Sequence, residues 1–175
     1  FADELAFAEA LAARAGELLM ERYERVERVD YKSARDVVTE VDHLSEELII
    51  AAIRARFPDD GILAEESGEH VAVAGEAPSS GQGRVWIVDP VDGTINYANG
   101  IPFFCVSIAL IADGRPTVAV IHDPTRDETF AATADGPAML SGPLGQGSHA
   151  VVTSDKDRLS GFVISMALNG RSVAT

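Results

Sequence analysis

The sequence is poor in the residues that build disulfide frameworks and basic binding surfaces. Cys105 is the one cysteine among 175 residues, so an internal disulfide is excluded, and its apolar neighbours favour an inert core thiol in a reducing compartment. Lysine and arginine number 14 against 28 aspartates and glutamates, and the net charge of −14 disfavours nucleic-acid and anionic-membrane partners. No apolar run is long enough to span a bilayer and no basic-then-apolar signal peptide is present, so we expect a cytoplasmic location.

Apolar residues, by contrast, are plentiful. They make up 46% of the sequence, which is enough for a packed core and argues against a disordered chain. At 175 residues the chain corresponds to one domain or part of one. We therefore expect residues 1–175 to form a single domain, with the organisation of 143–175 left open because a glycine-rich stretch there precedes another apolar run.

Helical periodicity dominates the first third of the sequence. Apolar residues recur at three- and four-residue steps over residues 3–29 and predict one long amphipathic helix. A polar stretch, Lys32–Arg35, predicts a loop. The Thr39-x-x-Asp42 pattern before the next apolar-periodic run is typical of a helix start, and it predicts a second helix that ends at Phe57.

The middle of the sequence predicts strands. A short buried strand is expected at Gly61–Ala64, and another at Val85–Val88 that Pro90 closes, with a flexible insertion over 69–84 between them. Asp-Gly and Asp-Pro turns then separate three further strands, at 103–112, 117–122 and 128–132. Consecutive hairpins indicate an antiparallel sheet, and helices packed on it would make a layered α+β fold.

Acidic residues follow the predicted Val85–Val88 strand. Asp89 and Asp92 lie on either side of Pro90, and Gly93-Thr94 follows where a short helix is expected to begin. Carboxylates at the end of a strand are hard oxygen ligands of the kind Mg²⁺ prefers, and the start of a helix favours a nearby anion. The alternative is a capped turn, since aspartate is common before helices for capping alone.

A second acidic pair, Glu65-Glu66, follows the Gly61–Ala64 strand. Burying a carboxylate without a partner is costly, so two acids at the end of an apolar strand indicate either a bound cation or a charged turn in water. Both interpretations stay open for this segment alone. Asp42 likewise has a structural interpretation, as a helix-capping residue.

Three motifs, taken together, resemble the signatures of the inositol monophosphatase family of Mg²⁺-dependent, lithium-sensitive phosphatases. These motifs are Tyr31–Asp42, Ala64–Gly68 and Asp89–Tyr97, they occur in family order, and the resemblance covers about residues 3–140. The resemblance implies a layered α/β sandwich of the sugar phosphatase type, with long N-terminal helices packed on a mainly antiparallel sheet. It also implies a cofactor of two or three Mg²⁺ ions and a homodimeric assembly.

The resemblance also assigns roles to individual residues. It implies a metal site formed by Glu65, Asp89, Asp92 and the backbone carbonyl of Val91, with Asp42 as a further ligand or as an acceptor for a metal-bound water. The implied catalytic residues are Thr94, Asp42 and Lys32. The implied substrate-binding residues are Glu65, Val91, Asp92, Gly93 and Thr94.

Within that set, the resemblance gives each catalytic residue a task. Thr94, helped by Asp42, would orient and deprotonate the attacking water, and the amides of Gly93 and Thr94 would hold the phosphate. Lys32 would sit on a mobile loop that reaches the outer shell of the metal site, and the alternative for it is an ordinary surface lysine.

The activity implied is Mg²⁺-dependent hydrolysis of a small phosphate monoester, most directly inositol monophosphate. Histidinol phosphate, fructose 1,6-bisphosphate and 3′-phosphoadenosine nucleotides are the alternatives within the family, and a non-catalytic binding protein with the phosphatase fold is the alternative outside it. One departure matters: the family takes another metal-binding aspartate from a C-terminal Trp-Asp motif, whereas Trp86 is the only tryptophan here and precedes Ile87. We therefore expect the C-terminal half of the fold to be absent, with weak Mg²⁺ binding, poor turnover, exposed core surface and a tendency to associate.

Overall fold

The structure is a computed structural model. It describes residues 1–23, 29–33, 36–70, 83–142, 147–155 and 158, with the backbone alone for 29–33 and 36–38. The helices in this part of the chain are α1 (Ala2–Arg22), α2 (Glu40–Arg56) and α3 (Thr94–Ala98). The strands are β1 (Val29–Ser33), β2 (Asp36–Thr39), β3 (Gly61–Ala64), β4 (Gly68–His70), β5 (Arg84–Asp92), β6 (Cys105–Ala112), β7 (Arg115–Asp123), β8 (Glu128–Thr133), β9 (Ala138–Ser141) and β10 (His149–Val151).

Eight of these strands form one sheet in the order β10-β9-β8-β7-β6-β5-β3-β4, and β1 and β2 form a separate hairpin. All neighbours in the large sheet pair antiparallel except β3 and β5, which run parallel. Helix α1 packs across β6, β7 and β8, and α2 packs on β5. This mixed, mostly antiparallel sheet with packed helices confirms the predicted fold class.

Helix α1 lies close against the sheet because its inner face carries small residues. Ala8, Ala12 and Ala15 are buried there at three- and four-residue steps. Gly16 lies closest of all: a Cβ added to it would stand 2.6 Å from the imidazole of His122 on β7. The helix therefore approaches β7 to a distance that only glycine at position 16 permits.

Helix α2 begins where the capping pattern predicted. Thr39 is the N-cap residue, and its side chain and that of Asp42 form a reciprocal capping box. The helix ends at Arg56, with Phe57 as its C-cap, so both predicted boundaries are confirmed.

The predicted first helix is too long, and the predicted loop at Lys32 is wrong. Helix α1 ends at Arg22, and a strand begins at Val29. Lys32 lies in this strand, which pairs antiparallel with β2 through contacts such as Tyr31 with Val37. β-Branched and aromatic residues alternate with polar ones in both segments, and this pattern suits a pleated hairpin better than a helix end or a loop.

Pro90 does not end the strand that precedes it. β5 continues through Pro90 to Asp92, and its pairing with β6 becomes irregular between Asp89 and Asp92. A proline is tolerated at such a bulge because no ladder hydrogen bond from its nitrogen is needed there. The bulge redirects the chain at the acidic motif.

The remaining predictions differ from the structure mainly at boundaries. The predicted insertion at 69–84 begins inside β4, and residues 71–82 lie outside the described residues. The three predicted hairpin strands correspond to β6, β7 and β8. β9 and β10 were not predicted, and most of 143–175 lies outside the described part of the chain.

The sheet face opposite α1 and α2 carries exposed apolar side chains. Leu63, Ile87, Ile121 and Phe130 are all exposed on neighbouring strands of the sheet. None of the helices in the described part of the chain is long and apolar enough to cross a membrane.

Candidate metal centre

The three sequence motifs meet where α2 begins and where β3 and β5 end. Asp42 lies in the first turn of α2, and Glu65 follows β3 directly. Asp89 and Asp92 lie on the bulged end of β5, and Thr94 is the first residue of α3. The parallel pairing of β3 with β5 brings Glu65 to Asp89, because Ala64 is the partner of Val88 and each acidic residue comes next in its strand.

Asp42 is buried, with 1% of its surface exposed, and its two oxygens accept hydrogen bonds from different neighbours. The amide and hydroxyl of Thr39 donate to Oδ2, at 3.0 and 2.5 Å. The hydroxyl of Thr94 donates to Oδ1 at 3.0 Å and lies equally close, 3.0 Å, to the carbonyl oxygen of Val91. These contacts make Asp42 an orienting partner of Thr94 and leave its role as a direct metal ligand a prediction without support from them.

Glu65, Asp89 and Asp92 come together as a group of carboxylates. Burial of Asp89, a hydrogen bond with Glu65 and the nearby charges of Glu65 and Asp92 raise the pKa of Asp89 to about 8. The Val91 amide, which donates to Asp89 Oδ1 at 3.1 Å, acts in the opposite direction. Two carboxyl groups in direct contact, with a third nearby, repel one another unless a proton or a cation lies between them.

The chemistry of this donor set fits a divalent cation. Carboxylate oxygens and a backbone carbonyl are the hard ligands that Mg²⁺ takes. In the described ranges, no group of three or more His, Cys, Asp or Glu side chains is spaced around a common metal position. Glu65 and Asp89 instead contact each other, so cation binding would require their oxygens to separate.

Gly93 shapes the turn between the carboxylates and α3. Its φ of +101° lies in the left-handed region, which strains any residue with a side chain. A Cβ there would also stand 3.0 Å from the carbonyl oxygen of Phe103. Glycine is therefore required for β5 to turn into α3 and bring Thr94 under Asp42.

A cavity of about 290 Å³ adjoins the carboxylates on the side of Asp92. Phe103, Phe104 and Phe130 are among its lining residues. Cys105 also lines it, and burial, with the charges of Asp92 and Asp89, raises the pKa of the thiol to about 12. Cys105 is therefore a protonated thiol at neutral pH, in line with the inert cysteine that the sequence predicts.

Comparison with known proteins decides the family. A model of the inositol monophosphatase family matches residues 2–172. This chain belongs to the inositol monophosphatase family. Its fold is thus that of a family of phosphatases, and the three motifs occupy the positions that their resemblance predicts.

Relatives within the family carry different names. The chain is 40% identical over 148 residues to the Nus factor SuhB of Salmonella typhimurium, which covers 83% of this chain and 53% of the relative. It is 37% identical over 141 residues to the fructose-1,6-bisphosphatase/inositol-1-monophosphatase of Thermotoga maritima, covering 80% and 51%. The crystal structure of the extragenic suppressor protein suhB of Bartonella henselae matches with a TM-score of 0.72 at 34% identity, covering 79% and 52%. The chain spans about half the length of the relatives it matches.

Two residues near the family motifs were missed by the sequence analysis. Ser45 and Glu46 lie three and four positions after Asp42, on the same buried face of α2. The Ser45 hydroxyl donates to the carbonyl oxygen of Pro90 at 3.4 Å, and Glu46 Oε2 accepts from the Glu66 amide at 2.8 Å. The apolar pattern had instead placed Leu44 on the buried face, where it is 37% exposed. The i, i+3, i+4 spacing from Asp42 was the signal that could have found this polar face.

Lys32, the remaining family residue, lies in β1. Its side chain falls outside those described, so the catalytic role that the family resemblance implies for it stays a prediction.

Proposed function

We propose that the chain carries the cation-binding part of a phosphatase site, which hydrolyses a small phosphate monoester, most directly inositol monophosphate. The observation that carries this proposal is the hydrogen bond from Thr94 to buried Asp42, next to the Glu65–Asp89 carboxyl pair. Phosphate monoesters hydrolyse extremely slowly in water. A site for them needs a positioned nucleophile beside a means of neutralising phosphoryl charge, and this arrangement offers both.

Glu65, Asp89, Asp92 and the carbonyl of Val91 would hold the Mg²⁺ ions, two or three in number. When bound, Mg²⁺ lowers the pKa of a coordinated water and neutralises phosphoryl oxygens. The family generally uses this ion, which supports the assignment, as does the crowding of carboxylates around Asp89.

The chain's own residues would orient the attacking water. Asp42 accepts the hydroxyl proton of Thr94, which leaves the lone pairs of Thr94 Oγ1 available to accept a proton from water. Asp42 keeps its orientation because Thr39 donates twice to its other oxygen. The amides of Gly93 and Thr94, where the chain turns into α3, would hold the phosphate oxygens.

The finer points of this proposal follow from the family. Lithium inhibition, a homodimeric assembly and a cytoplasmic location belong to it. Because the chain spans about half of its relatives' length and has no Trp-Asp motif, we expect weak Mg²⁺ binding and slow turnover from these residues alone.

The names of two relatives favour particular alternatives. The Thermotoga maritima relative is a fructose-1,6-bisphosphatase as well as an inositol-1-monophosphatase, so fructose 1,6-bisphosphate is a competing substrate, beside histidinol phosphate and 3′-phosphoadenosine nucleotides. The Salmonella typhimurium relative is named a Nus factor, which favours a non-catalytic binding protein as the second candidate function.

Phosphate release from these four classes of ester, with Mg²⁺ and with or without Li⁺, tests the proposal. We expect Mg²⁺-dependent, Li⁺-inhibited release from inositol monophosphate, reduced at least about 100-fold in Asp42→Asn because Thr94 loses its proton acceptor. Asp59→Asn, which removes the same charge at an exposed position, should retain the activity. No release from any ester by a protein that binds Mg²⁺ would instead favour the non-catalytic function.

A further inference from the structure

Glu46 is a buried acidic residue that the proposed chemistry does not use. It lies on the inner face of α2 with 3% of its surface exposed. Its Oε2 accepts a hydrogen bond of 2.8 Å from the backbone amide of Glu66. A buried carboxylate is costly, and an apolar residue would fill the same space between helix and sheet without that cost. The carboxylate therefore needs a reason to be there.

The contact of Glu46 falls on the residue next to a proposed metal ligand. Glu65 is held on its N-terminal side by its own amide, which donates to the carbonyl oxygen of Val88 at 3.1 Å. On its C-terminal side it is held through the Glu66 amide and Glu46. With both flanking peptide groups fixed, Glu65 has a defined position beside Asp89, the residue after Val88.

The same face of α2 holds the other acidic segment. Ser45 donates to the carbonyl oxygen of Pro90, between Asp89 and Val91. One turn of α2 therefore contacts the ends of both β3 and β5, which carry the proposed ligands. Asp42, one turn earlier, contacts Thr94.

We infer that Glu46 is a positioning residue for the cation site: it holds the Glu66 amide so that the side chain of Glu65 faces Asp89. This inference rests on the proposed function, because Glu65 and Asp89 are ligands only there. Groups that orient metal ligands without touching the metal contribute measurably to affinity, and their removal typically weakens binding 10- to 100-fold.

Three substitutions separate positioning from charge. Glu46→Gln keeps an oxygen that can accept from the Glu66 amide and removes the charge. Glu46→Met keeps the length of the side chain and removes the acceptor. Glu46→Asp keeps the charge and shortens the reach, and it serves if the methionine variant does not fold. Glu47→Gln, at the exposed neighbouring position, is the control for loss of one charge from the same helix.

Two measurements on the whole chain read out the effect. Amide hydrogen exchange at Glu66 follows the contact itself, and Mn²⁺ titration by electron paramagnetic resonance follows the cation site. We expect the Met and Asp variants to speed exchange at Glu66 and to raise the Kd for Mn²⁺ about 10-fold or more. The Gln variant and Glu47→Gln should stay within about threefold of the wild type in Kd, because both leave an acceptor for the Glu66 amide in place.

Faster exchange in the Met and Asp variants with an unchanged Kd would overturn the inference, because Glu46 would then serve the fold alone. An equal loss of affinity in the Gln and Met variants would also overturn it, because charge and not position would be the cause. A wild-type chain that binds no Mn²⁺ would contradict the proposed function itself, and so the two failures are distinguishable.

Discussion

Single buried polar residues connect the elements of this molecule. Asp60, between α2 and β3, accepts from the indole of Trp86 at 2.8 Å and from the guanidinium of Arg84 at 2.9 and 3.0 Å. Arg84 in turn donates to Glu4 on α1 at 2.9 Å. One carboxylate thus connects β5 with both long helices, on the far side of α2 from the cation site.

Replacement of Asp60 by alanine should destabilise the fold by about 2–4 kcal/mol, because the buried indole N–H and the Arg84 guanidinium lose their acceptor. Urea unfolding measures this change in the free energy of unfolding. Asp59→Ala, at the exposed neighbouring position, should change it by less than about 0.5 kcal/mol. Equal effects of the two substitutions would contradict the role assigned to Asp60.

At this scale, sequence reasoning works for residue types that chemistry restricts. Asp42, Glu65, Asp89 and Asp92 were identified because acids at strand ends and helix starts need a partner. Glu46 was not, since a glutamate on an amphipathic helix is usually assigned to the solvated face, and its burial depends on the partner that the fold supplies.

Among the elements, α1 depends most closely on the state of one side chain. His122 on β7 is 4% exposed, contacts the Gly16 position of α1 and lies 2.9 Å, Nδ1 to Oγ1, from Thr129 on β8. Burial lowers the pKa of His122, against the opposing charges of Asp127, Asp123 and Glu17.

The lowered pKa of His122 makes stability depend on pH with a definite sign. The unfolded chain binds a proton at His122 at a higher pH than the folded chain does, so the contribution is complete above about pH 6.5 and is lost as pH falls below it. We therefore expect the Tm of the wild type to fall more between pH 7.5 and 5.5 than that of His122→Gln.

His43→Gln is the matched control for this prediction, because His43 is exposed on α2. Its Tm profile, measured by circular dichroism, should follow the wild type. Parallel profiles for the wild type and His122→Gln would show that protonation of His122 does not affect the packing of α1.

The boundaries of elements were predictable where a local signal exists. The capping box gave the start of α2, and Asp-Gly turns gave the hairpins of β6 to β8. The path of β5 through Pro90 was not predictable, because β6 stabilises the bulge from a distant part of the sequence. The β1–β2 hairpin was hidden by a helical pattern that continued past Arg22.

On the scale of the whole molecule, the fold class was predictable from the succession of helices and hairpins. The mixed order of the sheet was less so, since the parallel pairing of β3 with β5 is a long-range contact. That pairing brings Glu65 to Asp89 and is therefore the part of the fold on which the proposed function depends.

The molecule also presents an apolar sheet face to solvent, including Ile87 and Ile121. Its relatives are about twice as long as this chain. Association through this face was expected from the sequence and stays a prediction, as does slow turnover.

Mn²⁺ binding to the wild type and to Asp89→Asn, followed by electron paramagnetic resonance, is the most direct test of the claim that the carboxylates between β3 and β5 hold a divalent cation. Asp135→Asn, at an exposed turn, is the control for lost charge. The account predicts saturable binding by the wild type and by the control, and a Kd raised at least about 10-fold in Asp89→Asn. Equal affinity in all three proteins, or no binding by the wild type, would contradict it.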